Sequence, residues 1–321
     1  MTALPDGSLL VAGGCVVDGC TTATSSAYLV TEHDVERVGA LAKARDGHTA
    51  TALQDGRVLI VGGWAAEGQP PLSSAEVYDP ANRRWTPVSP LSTGRGGHAA
   101  AMLADGRVVV AGGWVGPSTY TSTTELFDPT TGQFTRGPDL PVAVDALAAT
   151  SLADGSVLVV GGQQKPGVAS DLAVRIYPDG TLENLAPLIT ARFKHTVVTL
   201  ASGRALVIGG TSDDVNLLDT TEVFDPERGR FLPGPRLTAG RYKLSGSATV
   251  LPDGRVAVAG GGPGVEILDV RTGTSRAVVA AGTMPASFST TGLLGDRLLV
   301  LGGYDEQIQL TGTKLLLDPG D

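Results

Sequence analysis

No apolar run approaches the roughly 18 residues that a membrane-spanning helix requires, so no membrane span is expected. No segment sustains a helical hydrophobic period over several turns, which argues against a helical core. Basic residues are in the minority: 24 Lys and Arg against 33 Asp and Glu leave a formal net charge of −9. Phosphate recognition needs clustered Lys and Arg, so a nucleic-acid partner is not expected. Cysteine is nearly absent, with only Cys15 and Cys20 flanking Val16-Val17-Asp18-Gly19. A C-x4-C pair without further Cys or a nearby His is poor zinc chemistry. The pair reads as a loop disulfide suited to an oxidising compartment, with two ordinary thiols as the alternative. Phosphate-cradling glycine loops, Ser-His-Asp arrangements and Cys-His arrangements are also missing.

What is present is punctuation. Gly 44 and Pro 20 supply turns, and the apolar residues are mainly Val, Leu and Ala in short runs. Seven diglycines occur at Gly13, Gly62, Gly112, Gly161, Gly209, Gly260 and Gly302, each followed by a second Gly. Their separations are 49, 50, 49, 48, 51 and 42 residues. A fixed period of this length marks a repeat architecture, in which each unit brings its own layer of core. That resolves the difficulty of 321 residues sharing one core. The whole chain, 1–321, reads as a single domain.

The second unit shows the plan. His48 to Leu53 is a small-residue strand, and Gln54-Asp55-Gly56 is its turn. Val58-Leu59-Ile60-Val61 is an apolar strand ending at Gly62-Gly63, and its lack of polar alternation suits burial on both faces. After a variable loop come Ala75-Glu76-Val77-Tyr78, the turn Asp79-Pro80-Ala81-Asn82 and a fourth strand around Trp85. Asp-Gly and Asp-Pro are tight-turn chemistry. Unit three repeats the plan with Asp105-Gly106, Glu125-Leu126-Phe127 and Asp128-Pro129, and unit five with Glu222-Val223-Phe224 and Asp225-Pro226.

The diglycine after an apolar strand, the Glu-Val-Tyr-Asp-Pro segment and the later Trp or Phe resemble the kelch-repeat family, in register along essentially the whole chain. The resemblance implies an all-β fold: a seven-bladed β-propeller of four-stranded antiparallel blades around a central channel. Met1 aligns with Ala50 and Asp318-Pro319 with Asp79-Pro80. The ring is therefore expected to lack one outer strand and part of one inner strand, which a segment upstream of Met1 would supply. The compartment follows the same alternative: cytoplasmic if Met1 is the true start, secreted or periplasmic if a leader precedes it.

The Asp-Gly and Asp-Pro turns belong on one face of the disc. The loops after each diglycine and those entering each first strand belong on the other, where the length variation lies and where a ligand is expected. On that face Trp64, Trp114 and Tyr304 follow diglycines and are candidate stacking platforms. Asp145, Phe193, Lys194, Tyr242 and Phe288 break the repeat and are further candidate ligand contacts. His48, His98 and His195 share one repeat position, which reads as Leu147 in unit four and Gly246 in unit six, and form a candidate divalent-metal set, weighed against hydrogen bonding between blades. Arg45, Arg95 and Arg192 appear in the units that carry Glu76, Glu125 and Glu222. Unit six offers Lys243, with Arg241 close by, alongside Glu266; unit four has Val144 with Arg175. Basic and acidic residues that come and go together are read as ion pairs within each blade.

Kelch enzymes use copper–radical or iron chemistry among others, and neither ligand pattern is identifiable here. The leading reading is a binding module that recognises a protein, peptide, glycan or other small molecule, with no cofactor. The alternative is an enzyme with its site at the channel mouth, metal-assisted through the three histidines.

Overall fold

A computed structural model describes residues 1–15, 21–279, 289–302 and 314–319. Among these residues the regular structure is all strand, and no helix is long and apolar enough to cross a membrane. Seven antiparallel sheets form the blades of a β-propeller, six with four strands and one with three among the described residues. Blade two runs Thr49–Ala52, Val58–Val61, Ala75–Asp79 and Arg84–Val88, each strand paired with the next in sequence. Its innermost strand belongs to a ring with Thr2–Ala3, Ala99–Met102, Ala148–Ser151, Thr196–Thr199, Ala248–Val250 and Thr290–Leu294.

The unalternating apolar strands are buried because each blade is covered on both sides. Along Val58–Val61 every residue is buried. Val58 and Ile60 pack against Leu10 and Leu29 of blade one, whereas Leu59 and Val61 pack against Val108, Val110 and Phe127 of blade three. A period of two is present, but both of its faces are apolar. Outer strands are fixed by ring pairs: Tyr78–Trp85, Phe127–Phe134 and Phe224–Phe231 have centroids 4.8, 5.0 and 5.1 Å apart.

Gly62 shows why the diglycines are required. Its φ is +64°, and a Cβ there would lie 2.4 Å from the Arg95 carbonyl oxygen of the next blade. Only a residue without a side chain permits both the left-handed turn and that approach.

On the opposite face, the arginine after an Asp-Gly turn reaches the next blade. Arg57 Nη2 donates to the Pro129 carbonyl at 3.0 Å, and Arg255 Nη2 to that of Pro319 at 3.1 Å. The ring closes through side chains: Leu9 and Val30 of blade one cluster with Leu294 and Leu299 of blade seven. Blade one contributes a two-residue innermost strand, and blade seven has three described strands.

Candidate functional site

Beneath the loop-rich face lies a layer of buried ion pairs. Arg95 is wholly enclosed, with Nη1 donating to the carbonyls of Gly112 and Thr123 (3.0 and 2.8 Å) and Nη2 to Thr123 Oγ1 and Glu125 Oε1 (3.0 and 2.9 Å). Arg45–Glu76 and Arg192–Glu222 repeat this at 2.9 and 2.7 Å. Each pair ties the segment entering the first strand to the third strand of its own blade, and burial leaves no cation here for an anionic ligand.

Three details of register differ from the sequence reading. In blade six, Arg241 rather than Lys243 takes the buried position, with Nε 3.2 Å from Glu266 Oε2. The position of His98 is held there by Leu244, not Gly246, because Ser245 and Gly246 lengthen the turn into the strand. In blade four the acid position is Val174, which faces Val159 as Glu125 faces Val110. Val144 and Val174 share one core cluster, so an apolar pair replaces the ion pair, while Arg175 turns outward to Asp154 at 3.0 Å.

The three histidines are not brought together. Each sits beside the first glycine of the preceding blade: Cβ atoms on Gly13, Gly62 and Gly161 would lie 2.8, 2.8 and 2.4 Å from Cε1 of His48, His98 and His195. Among the described residues no three His, Cys, Asp or Glu side chains converge as a metal site. His98 Nε2 and Thr49 Oγ1 are 2.8 Å apart, a hydrogen bond between blades. Neither ring nitrogen of His195 has a hydrogen-bond partner. Burial, then the neighbouring arginine, pulls the pKa values of His98 and His195 down to about 3. Leu147 and Leu244 fill the same position in blades four and six. His195→Leu is therefore expected to leave the melting temperature unchanged or raised by a few degrees at pH 7. The depressed histidine favours the native state fully above its unfolded pKa, and that contribution is lost as pH falls from about 6.5 toward 3. The variant should gain most in that window, as thermal melts at pH 7 and pH 4 would show.

Above this layer, one residue in each of blades two to six turns the chain into its first strand through a left-handed conformation. Gly47, Gly97, Ala146, Lys194 and Lys243 have φ of +56, +61, +51, +56 and +56°. Backbone hydrogen bonds join successive blades along this arc: Gly97 N to Gly47 O (3.1 Å), Ala146 N to Gly97 O (2.9 Å), Lys194 N to Ala146 O (3.0 Å) and Leu244 N to Lys194 O (3.1 Å). The residue before each left-handed position bridges the residue after a diglycine: Asp46 to Trp64, Gly96 to Trp114, Asp145 to Gln163 and Phe193 to Thr211. These bridges form the rim of the channel mouth. A non-glycine in that conformation costs about 1–2 kcal/mol, so Lys194 and Lys243 occupy positions that local propensity does not favour.

Among the described residues, the rim is tallest at blades three and four. Blade three raises the hairpin Trp114–Gly116/Thr119–Tyr120, and blade four raises Gln163–Lys165/Val168–Ala169 beside it. The blade-five loop adds Asp213 and Asp214, whereas in blade six only Gly262, Pro263 and Gly264 separate the diglycine from the third strand. The aromatic and charged candidates meet under this wall. Trp64 lies across Gly47 and Gly96, where added Cβ atoms would be 2.3 and 2.5 Å from its ring. One indole face is thus a packing surface. Its Cη2 edge and Asp145 Oδ2 then flank Gly97, at 3.5 and 3.8 Å from where a Cβ would stand. Trp114 is 5.8 Å from Trp64 between centroids, tilted by 59°.

Asp145 is 8 % exposed, and its Oδ1 has no hydrogen-bond partner. Burial pushes its pKa up to about 6 against the pull of the Gln163 side chain and Lys194. Lys194 is paired with Asp214 and lies 5.1 Å from the centroid of the Phe193 ring. Burial, with Asp145 and Asp214 adding to it, lifts the Tyr120 hydroxyl to about 12. Phe193 itself is 0 % exposed and presents no contact surface. Tyr242 stands at the rim with Lys243 5.0 Å from its ring centroid.

Tyr304, Phe288 and Cys20 lie outside the described residues. Cys15 is disulfide-bonded. Gln163, Tyr120 and Asp214 escaped the sequence reading because they sit in variable loops with no repeat to compare against. The clefts between blade edges on the turn face, about 430 and 490 Å³, are lined by Asp-Gly and Asp-Pro turn residues and lie away from this cluster.

Residues 47–92 and 95–141, which are blades two and three, match the Kelch motif. An F-box/kelch-repeat protein of Arabidopsis thaliana is 39 % identical over 92 residues, which is 27 % of this chain and 23 % of that protein. The chain thus spans about a quarter of that relative's length. A solved structure titled "Structure of YjhT" superposes with a TM-score of 0.64 at 14 % identity, covering 96 % of this chain and 95 % of that one. At that identity the likeness speaks to fold alone. Blades two and three thus match the Kelch motif, the other units repeat its diglycines, and the chain as a whole has the β-propeller fold.

Proposed function

We propose that the chain is a binding module whose ligand, a protein, peptide or glycan, docks on the loop-rich face at the rim of blades two to five. The observation that carries this reading is the raised wall on blades three and four. Repeat geometry needs neither its two hairpins nor the gathering of Trp64, Trp114, Tyr120, Asp145, Lys194 and Asp214 beneath them. Raised loops on a rigid scaffold are where recognition concentrates. The turn face is occupied by its own arginine-to-carbonyl clamps. A histidine-based reaction has less support, because His98 and His195 are buried on separate blade interfaces.

Trp114 is the cleaner probe, since Trp64 also holds the rim together. On arrays of immobilised peptides and glycans, Trp114→Ala is expected to weaken any saturable binding at least tenfold. Arg204→Ala, on the opposite face, should leave it unchanged. Loss of binding in the Arg204 variant with retention in the Trp114 variant would move the site to the other face.

A further inference from the structure

Asp145 is out of place in every structural respect. It is buried, it lacks a full set of partners, and no feature of the repeat demands it. The equivalent positions hold Asp46, Gly96, Phe193 and Tyr242, so size and polarity there are not set by blade packing. A carboxylate in such surroundings is unfavourable unless a cation or several donors compensate it. The groups that face it are the Gln163 side chain, Lys194 and Asp214. Lys194 is already committed to Asp214. Two carboxylates therefore share one ammonium, and the cluster is one positive charge short when Asp145 is ionised.

Beside Asp145 the rim is floored by Gly97, which offers no side chain. The Trp64 edge and the Asp145 carboxylate flank that floor at 3.5 and 3.8 Å from the missing Cβ position, and Trp114 stands next to Trp64. Aromatic rings beside a carboxylate attract an alkylammonium or guanidinium group through both the ring quadrupole and the full charge. A sugar would instead need an array of directed donors and acceptors, whereas the polar side-chain atom beside Gly97 is a single carboxylate oxygen, Asp145 Oδ2. The overall charge of −9 also favours the approach of a cationic ligand.

We infer that the channel-mouth site accepts a single cationic side chain, the ammonium of a lysine or the guanidinium of an arginine in a peptide, seated over Gly97 between Trp64, Trp114 and Asp145. This rests on the binding-module reading above and specifies the ligand of that same site.

Blocked tripeptides Gly-X-Gly, with X as lysine, arginine or the uncharged norleucine, can be titrated against the intact chain by tryptophan fluorescence at pH 7.5. The lysine or arginine peptide should bind at least tenfold more tightly than the norleucine peptide. Asp145→Asn should remove that preference while the protein stays folded by circular dichroism. Lys194→Met, which removes the competing ammonium, should strengthen binding of the cationic peptides by a few-fold. Equal binding of norleucine, undiminished binding by Asp145→Asn, or no binding of either cationic peptide would each overturn the inference. If immobilised glycans instead bind in a Trp114-dependent manner, the binding-module reading stands and only the cationic ligand falls. If neither glycans nor peptides bind, both fall.

Discussion

Glu125→Gln is expected to lower the stability of the chain by about 3–5 kcal/mol, as removal of one partner from a buried ion pair does. Arg95 has no exposed surface and cannot reach water when its counter-charge is lost. Arg95 Nη2 and Ser92 N donate to different carboxylate oxygens, at 2.9 Å each, and the amide has only one oxygen to accept with, so one donor is orphaned and the guanidinium charge is left unneutralised. Burial already lowers the pKa of Arg95, and the Glu125 charge is the main influence that raises it. The chain contains its own control. Blade four fills both positions with valine, Val144 and Val174, inside a continuous core. The double variant Arg95→Val/Glu125→Val should therefore be closer to the wild type than Glu125→Gln alone, since an apolar pair can replace a buried ion pair at little cost. Denaturant unfolding of the three proteins checks the order. A single variant no worse than the double would mean that the pair is solvated.

A second buried carboxylate is expected to behave in the opposite way. Asp145→Asn should stabilise the fold by up to about 3 kcal/mol above pH 6, because burial raises the native pKa from 3.8 to about 6. The sign follows from proton binding. The native state holds this proton more tightly than the unfolded chain, so the wild type loses stability as pH rises from about 4 to about 6. The asparagine variant has no such loss, and its advantage should vanish by pH 4. Melting temperatures of both proteins across pH 4 to 8 would show two curves that meet in acid and part near neutrality. Parallel curves would mean that Asp145 is compensated in the native state. A residue that weakens the fold and strengthens binding is the usual mark of a site kept for function.

The contrast between these carboxylates also explains what the sequence could reveal. Glu125 repeats as Glu76, Glu222 and Glu266, and a basic residue appears whenever it does, so the pairing could be inferred by comparing units. The diglycines and Asp-Gly turns are legible for the same reason: each meets a local backbone requirement of the repeat, the diglycine in all seven units and the Asp-Gly turn in five. Register was harder where a unit departs from the rest. By position in its unit Arg175 reads as the counterpart of Glu125, although strand pairing gives that place to Val174, and the two-residue extension at Ser245-Gly246 hides Leu244 behind a glycine. The site was the least legible part. Asp145 drew notice by breaking the pattern, but its environment comes from Gln163, Lys194 and Asp214, on the rim of blade four and on blade five. Contacts between variable loops leave no periodic trace.

If ligand meets the chain at the channel mouth, over blades two to five, the three tryptophans, two at the mouth and one away from it, should respond differently to it. Trp85 lies on the outer strand of blade two, stacked on Tyr78 with its indole N–H donating to the Val38 carbonyl at 3.1 Å. With 5-fluorotryptophan incorporated, the fluorine spectrum should show one resonance for each. Addition of the Gly-Lys-Gly peptide should shift the Trp64 and Trp114 signals in a saturable way and leave Trp85 still. A saturable shift confined to Trp85, or none at all in the presence of bound peptide, would contradict the account.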